Sequence, residues 1–571
     1  AMTLTLAVVY APIGLLSGLT GVLFKEFAFT LAIAVLISGL VALTLSPIMS
    51  AWVCPSHGQE TRATHWVNRR FDVTANQYAH IVDFSIRYRW QLIFAGIFFS
   101  LLSGPLYMLS LKELAPVEDQ SGVTVISDAA PEAAIEDTYQ GMNKVVSTMS
   151  TFEGATEIWQ IIMPSGSYGG QDFTAPGDRS QSIQDMLFSM YGALQEIPSL
   201  NAFPVADSDL PSAGQFDVEV AIASSDNAQT MLPYAKALVR AAKESGLFLF
   251  VDTDLRVDLV EARIDFNKQR LADLNLNLDD VARQVGLLNS EGYVTRYDDR
   301  GRAYRVIPKV AQSERDSPDA ILDFPIRTLN GELIPLGAIA TLERTTSPRA
   351  LTRFQQKNAF KIFGGMIPGT TKEQGLSFIE KTAAEILPDY YILDYTGESR
   401  ELRSEGNTLL GVLLAAMALV FFVLAIQFNS FRDPLIILLG SIPLALFAAL
   451  SITFVNLTTV NIYSQVGLIT LAGLVAKNAI LIVEFANQAQ REGLDKIAAI
   501  RAASVGRLRP VLMTTGATVL GHLPLTLVTG AGAEARNSIG FILVVGMLIG
   551  TFFTLVLLPA IYAVLASDHR Y

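Results

Sequence analysis

The sequence predicts a multi-span α-helical membrane protein that carries a large α+β domain outside the bilayer. Three observations lead there. The first is where the charge lies. Only 17% of the 571 residues are Asp, Glu, Lys or Arg, against about 25% for an ordinary soluble protein. Residues 112–403 nevertheless hold 70 of the 96 charged side chains, a soluble density, and the flanks share the other 26. The second is the length of the apolar runs in those flanks, several of which reach the ~20 residues that a helix needs to cross a hydrocarbon core of about 30 Å. The third is the alternation of strand-period and helix-period patterns, confined to the charged middle segment.

Eight runs read as spans, the first only in part: 1–16, 26–52, 90–111, 406–426, 434–455, 462–486, 511–529 and 537–566. Pro434 after Arg432-Asp433, and Pro510 after Arg509, suit the first turn of a helix. Gly530-Ala531-Gly532 separates the last two spans. The opening, Ala1 to Leu16, has neither the basic start nor the cleavage site of a signal peptide, and reads as a chain that begins inside a transmembrane helix. Orientation follows from Lys/Arg bias in short loops. Arg491, Lys496, Arg501, Arg507 and Arg509 face two acids in the 487–509 loop. Arg62, Arg69, Arg70, Arg87 and Arg89 face three acids in the 53–89 connector. Both loops are expected on the cytoplasmic side, which puts 112–403 on the opposite side. That segment has 27 basic and 43 acidic residues, and the flanks carry a net +4. An acidic exposed domain argues against nucleic-acid binding. The single cysteine, Cys54, excludes an internal disulfide framework and a cysteine zinc site. No His cluster in 112–403 suggests a metal.

The two ends share a pattern. Ala11-Pro12-Ile13 is followed by Gly18 and Gly21, then by a long apolar run closing at Leu45-Ser46-Pro47. Leu523-Pro524-Leu525 is followed by Gly530 and Gly532, then by a run closing at Leu557-Leu558-Pro559. The prolines are 35 residues apart in each case. Internal repeats are common in transporters, and the spacing predicts one hairpin used twice. A second copy starting near residue 89 would place its counterpart about 420 residues before Ala1, as expected for the C-terminal part of a protein of roughly a thousand residues.

Lys477 lies near the middle of the 462–486 run. A lysine at the bilayer centre costs about 2.5–3.5 kcal/mol on insertion scales, so such residues face partners or water and mark ion paths. Glu484 shares its face but lies about 10 Å along the axis, too far for a direct pair. The expected partner is a carboxylate on another helix, and the expected role is a proton relay. Gly467, Ala472, Gly473, Ala476 and Ala479 favour close helix packing around it.

The segment Gly473-Leu-Val-Ala-Lys477-Asn478-Ala-Ile-Leu-Ile-Val-Glu-Phe-Ala486 resembles the tenth-helix motif of resistance-nodulation-division (RND) efflux pumps of the multidrug, hydrophobe/amphiphile class. Arg507-Leu-Arg-Pro-Val-Leu-Met-Thr514 resembles that family's eleventh-helix entry. Thr529-Gly-Ala-Gly-Ala533 resembles the next loop. Glu113-Leu-Ala-Pro-Val-Glu-Asp119 resembles the start of the second periplasmic domain, and Ser46-Pro47 the end of the sixth helix. The resemblance implies a chain running from mid helix five to helix twelve. Residues 1–52 would be the end of the first transmembrane repeat, 53–89 a cytoplasmic connector, and 90–111 helix seven. Residues 112–403 would form a periplasmic porter and docking domain, with a docking insert at about 254–345, and 404–571 helices eight to twelve. It also implies a proton relay of Lys477, Thr514, Arg507 and Asn478, with Lys477 paired in the family to two aspartates on a helix four that this sequence does not contain. A homotrimer in the bacterial inner membrane is implied, with a periplasmic adaptor protein and an outer-membrane channel as partners. Amphiphilic small molecules would be the substrates and the proton gradient the energy source, with no cofactor and no enzymatic reaction. A fragment of this extent is expected to be inactive alone.

The middle segment reads as α+β. Strand patterns fall at Gly122–Ser127, Gln215–Ala223 and Ala359–Met366, with a hairpin signal at Asn330-Gly331. Helix patterns fall at 133–149, 228–244 and 372–387, and Asp279 precedes a helix with Leu287 and Leu288 on its apolar side. Strand–helix–strand order fits split βαβ modules. Aromatic and Met-lined pockets repack around varied ligands. The substrate candidates are therefore Trp159, Met163, Tyr168 and Phe173, around the glycine-rich run Pro164-Ser-Gly-Ser-Tyr-Gly-Gly170, with Phe203 on the entry side. That run resembles the family's pocket-dividing loop. Two other classes compete: an RND relative that moves lipids or other envelope components, and a membrane-anchored enzyme. The second lacks any nucleophile–base constellation.

Overall fold

The computed structural model describes the chain except residues 1, 17, 54–61, 165, 211–213, 290–291, 315–316, 406–407 and 569–571. Cys54 lies outside the described residues, and so does the side chain of Leu288.

The chain opens with α1 (Met2–Gly14) and α2 (Gly18–Val53), then α3 (Arg62–Arg87) and α4 (Arg89–Leu109). After the middle segment come α12 (Thr408–Phe428), α13 (Arg432–Phe454), α14 (Ile462–Arg491), α15 (Lys496–His522) and α16 (Ala533–Leu565). Six of these, α2, α4, α12, α13, α14 and α16, are long and apolar enough to cross a membrane. The first apolar run, expected as a partial span, forms the short α1, and the second begins eight residues earlier than expected, at Gly18. The 511–529 run is only the second half of α15, which begins at Lys496 and ends at His522. The basic residues expected in a 487–509 loop therefore lie on the last turn of α14 and the first half of α15, and residues 492–495 make the turn. Asp495 caps α15 by accepting the Ile497 N–H.

The bundle centres on α13, α14 and α16. Their contact surfaces are small and branched apolar side chains, among them Ala445, Ala449, Leu471, Val475, Ile542 and Met547. Against them pack α1 through Val9 and Ile13, and α3 through Tyr78 and Val82. Gly18 begins α2 and Gly532 precedes α16, and both adopt φ of 74°, a left-handed conformation open to glycine without a side-chain clash.

The middle segment forms two sheets of one topology. The first runs β1 (Gly122–Asp128), α5 (Ile135–Met149), β2 (Ala155–Ile161), β3 (Gly166–Phe173), α6 (Ile183–Gln195) and β4 (Asn201–Ala206). Its order is β2-β3-β1-β4, all antiparallel. Val125, Met142, Met149, Met186, Met190 and Leu194 fill the space between sheet and helices. The second runs β5 (Val218–Ser224), α7 (Ala228–Glu244) and β6 (Phe248–Thr253), and resumes later.

Between its second and third main strands the chain inserts a smaller unit. This holds β7 (Val257–Phe266), α8 (Lys268–Asp273), α9 (Leu278–Asn289), β8 (Thr295–Asp299), β9 (Arg302–Val306), β10 (Pro325–Arg327), β11 (Leu333–Pro335) and β12 (Ala340–Pro348). The second sheet then continues with β13 (Arg353–Phe354), β14 (Lys357–Met366), α10 (Lys372–Ile386), β15 (Ile392–Tyr395) and α11 (Gly397–Glu405). Both β15 and β14 flank β5, and β14 pairs β6 on its other edge. Each sheet is thus a βαββαβ unit.

The expected strands and helices of this segment are present within a few residues. The hairpin signal at Asn330-Gly331 lies in the turn between β10 and β11, with Gly331 at φ 88°. One detail differs. Asp279 does not precede α9 but lies in its first turn, and its N–H is accepted by the Asn277 side chain. The buried face of α9 is Val281 and Val285, and Leu287 is 38% exposed.

Candidate functional site

Helix α14 is the most enclosed of the spans. A capping box at its start fixes its register: the Asn461 side chain accepts from Tyr463 and Ser464 N–H, and the Ser464 hydroxyl from Asn461 N–H. Along it, Leu474, Lys477, Leu481, Glu484, Phe485 and Gln488 are the positions left half-buried or exposed within a buried core stretch. They recur every three or four residues and form a single stripe. The lysine of the span is therefore on the one face that the described helices leave open. Among the described residues, no ion pair involves Lys477.

The neighbour, Asn478, points the other way and is buried. Its amide donates to the hydroxyls of Thr515 at 3.2 Å and Thr551 at 3.3 Å, and those hydroxyls lie 3.2 Å apart. One asparagine thus ties α14 to α15 and α16. Thr514, half-buried, donates its hydroxyl to the Val511 carbonyl of its own helix. The Arg507 guanidinium lies over the Phe485 ring, 4.5 Å from its centre. Lys477, Asn478, Thr514 and Arg507 therefore occupy two adjacent helices without forming one hydrogen-bonded set among the described residues. The inward-facing threonines, Thr515 and Thr551, carried no motif that marked them.

A second polar group was hidden by its position in the sequence. Arg432-Asp433 reads as punctuation before a span, yet α13 begins at Arg432 and buries Asp433 completely. Asn487 donates to Asp433 at 3.1 Å, Tyr562 to Asn487 at 2.6 Å and Gln490 to Tyr562 at 2.7 Å. Asp433 is thus a second acid within the helical bundle, besides Glu484.

The aromatic candidates separate. Trp159 and Tyr168 meet edge to face, ring centres 6.0 Å apart, and with Met163 remain exposed on the β2 side of the first sheet. The glycine-rich run after Pro164 is largely strand β3, not loop, and Phe173 at its end is buried in the first module's core. Phe203 is buried 4.8 Å from Phe250, a second-module ring that also meets Tyr191 and Phe216. Phe216 stacks on Phe363 at 4.4 Å. This aromatic ladder joins the two modules. Phe250 sits in the alternating run Phe248-Leu249-Phe250, which reads equally well as ordinary strand. A cleft of about 140 Å³ opens beside it, lined by Leu187, Pro204, Leu249, Phe250 and Met366 with Glu113, Asp217 and Lys372. A second, almost wholly apolar cavity of about 270 Å³ lies among α4, α12, α13 and α14.

A bundle of membrane-length helices with a lysine inside one of them, joined to two βαββαβ modules, defines a polytopic membrane transporter. Residues 1–566 match the AcrB/AcrD/AcrF family, and the chain belongs to that family of RND transporters. It is 35% identical over its whole length to an uncharacterized transporter of Haemophilus influenzae. It is 27% identical to the multidrug/solvent efflux pump membrane transporter MepB of Pseudomonas putida and 26% identical to the multidrug export protein AcrF of Escherichia coli, over 99% of the chain in both. The chain spans about half the length of these relatives, 56% in each case.

Proposed function

We propose that this chain supplies the energy-coupling helix and half of the substrate path of a proton-driven exporter of amphiphilic compounds. The observation that carries the reading is Lys477, a cation at the middle of α14 on the one stripe that neighbouring helices leave open. A carboxylate there, gaining and losing a proton, would alternately release and hold the lysine, and each exchange would move the helix against its neighbours. Arg507 and Thr514 flank that path from α15, and Asn478 anchors the adjoining buried face. The likeness to pumps named for multidrug, solvent and antibiotic export supports a broad amphiphilic substrate range.

In this reading the two βαββαβ modules are porter units on the periplasmic side of a bacterial inner membrane, and the insert at about 254–345 is a docking unit. The assembly is a homotrimer, working with an adaptor protein and an outer-membrane channel. Trp159, Met163 and Tyr168 offer an exposed aromatic surface to substrate, and Phe203 a wall at the cleft between modules. The proton gradient is the energy source.

The test is Lys477→Ala in the full-length protein, with dye accumulation measured in energised cells. Expected is loss of efflux to background with normal membrane levels of protein; undiminished efflux sinks the relay. Export of labelled lipid, with no effect on dyes, detergents or bile acids, would favour an envelope-lipid transporter.

A further inference from the structure

The end of α4 is stitched to the loop that precedes α14. The Val460 N–H donates to the Leu111 carbonyl at 2.8 Å, the Glu113 N–H to the Val460 carbonyl at 3.2 Å, and the Ile462 N–H to the Leu114 carbonyl at 3.1 Å. The Thr459 hydroxyl donates to the Glu113 carboxylate. The first module reaches the same place through Asp209, which accepts the Glu118 N–H at 3.0 Å and the Gln120 amide at 3.4 Å. The Glu118 carboxylate in turn accepts the Ala535 N–H, at the start of α16, at 2.8 Å. The second module reaches it through Lys372, 8% exposed at the first residue of α10. Lys372 pairs with Glu398 of α11 at 2.7 Å and Asp217 before β5 at 3.5 Å. Membrane connector and both modules thus converge near one lysine: Asp217 and Glu398 pair with it, and Glu113 and Asp209 lie near enough to feel its charge. Glu113, Asp217 and Lys372 line the 140 Å³ cleft.

We propose that this cluster is a pH-responsive joint: with its surplus carboxyls protonated the two modules seat on the membrane connector, and with them ionised the seat loosens and the cleft above it widens. Glu113 and Asp209, both shielded from water beside other carboxyls, are favoured in the neutral form. Burial raises the Glu113 carboxyl to about 7; the Thr459 bond and Lys372 oppose the rise, and Glu398 and Asp209 add to it. Burial likewise raises Asp209 to about 6, against Lys372, Gln120 and the Glu118 N–H, with Glu398 adding to the rise. Both values lie above those of an unfolded chain. The closed seat is therefore favoured below the ordinary carboxyl range, and that preference is lost as pH rises through about 6 to 7. The joint lies apart from Lys477 and does not depend on what is exported.

The test is amide hydrogen exchange of the full-length protein in lipid nanodiscs between pH 5.5 and 8.5, corrected for the intrinsic base-catalysed rate. Peptides covering 110–121 and 456–462 are expected to lose at least about tenfold protection across that range, since one unit of pKa displacement is a factor of ten in the closing equilibrium. Glu113→Gln with Asp209→Asn should abolish the step and keep the protected state at every pH. Lys372→Met should move the midpoint upward, because it removes the cation that favours ionisation. A wild-type profile without a step overturns the joint, whether or not the variants fold. So does a step that persists unchanged in the double variant.

Discussion

At the scale of single residues, Asn478 and Lys477 show how neighbours on one helix divide two tasks. Their side chains leave the axis about 100° apart, so one faces the packed core and the other the open stripe. Asn478 makes two bonds to hydroxyls on other helices. Hydrogen bonds between membrane helices average about 0.6 kcal/mol each. Asn478→Ala should therefore lower the stability of the detergent-solubilised protein by about 1 kcal/mol, read from its denaturation midpoint, while Lys477→Ala leaves that midpoint close to wild type. The motif was legible because a lysine inside an apolar run is conspicuous. Thr515 and Thr551 were not, because a threonine in a span commonly bonds its own helix, as Thr514 and Thr554 do. At Asp433 the helix boundary was legible but the burial was not: a charge beside a proline marks a helix start, as it does here, and only the hydrogen bond from Asn487, held by Tyr562, reveals that it is enclosed.

At the scale of elements, α13 and α16 cross where one side chain of any size would intervene. A Cβ built on Gly550 would come within 2.7 Å of the Ala445 Cβ and 3.2 Å of its Cα. The obstacle is the Ala445 Cβ and the Cα that holds it, neither of which can swing aside. Gly550→Leu should destabilise the bundle by roughly 1–3 kcal/mol, or abolish folding, with Gly550→Ala intermediate; thermal unfolding in detergent separates the three proteins. Helix lengths in the sequence were legible where an apolar run and a capping residue agreed, as at Asn461. They failed at α15, whose first four turns are basic and amphipathic and continue unbroken into an apolar half. Periodicity marks a change of environment there, not a change of conformation. In the middle segment α7 and α10 were read correctly because Asn227 and Thr371 cap them and apolar residues recur at helical spacing.

At the scale of the whole molecule, the division into apolar flanks and a charged centre followed from composition, because the bilayer and water impose different residue inventories. How the modules meet did not. The Phe203–Phe250 contact and the Glu113–Lys372 cluster join residues more than forty positions apart, and no local pattern encodes such pairings. The two sheets share one chain order, and this has a consequence for engineering. In the second sheet, the link between the second and third main strands carries a whole extra unit, β7 to β12, while β14 still pairs β5 and β6. The corresponding link in the first sheet is the short stretch between Ile161 and Gly166. Long insertions at such links cost little loop entropy. A small fluorescent protein grafted there should leave the chain folded, with membrane yield and melting temperature near wild type, whereas the same graft within α5 should not. Nature has used one of two equivalent ports, and the other stands available as a place to report on the molecule from within.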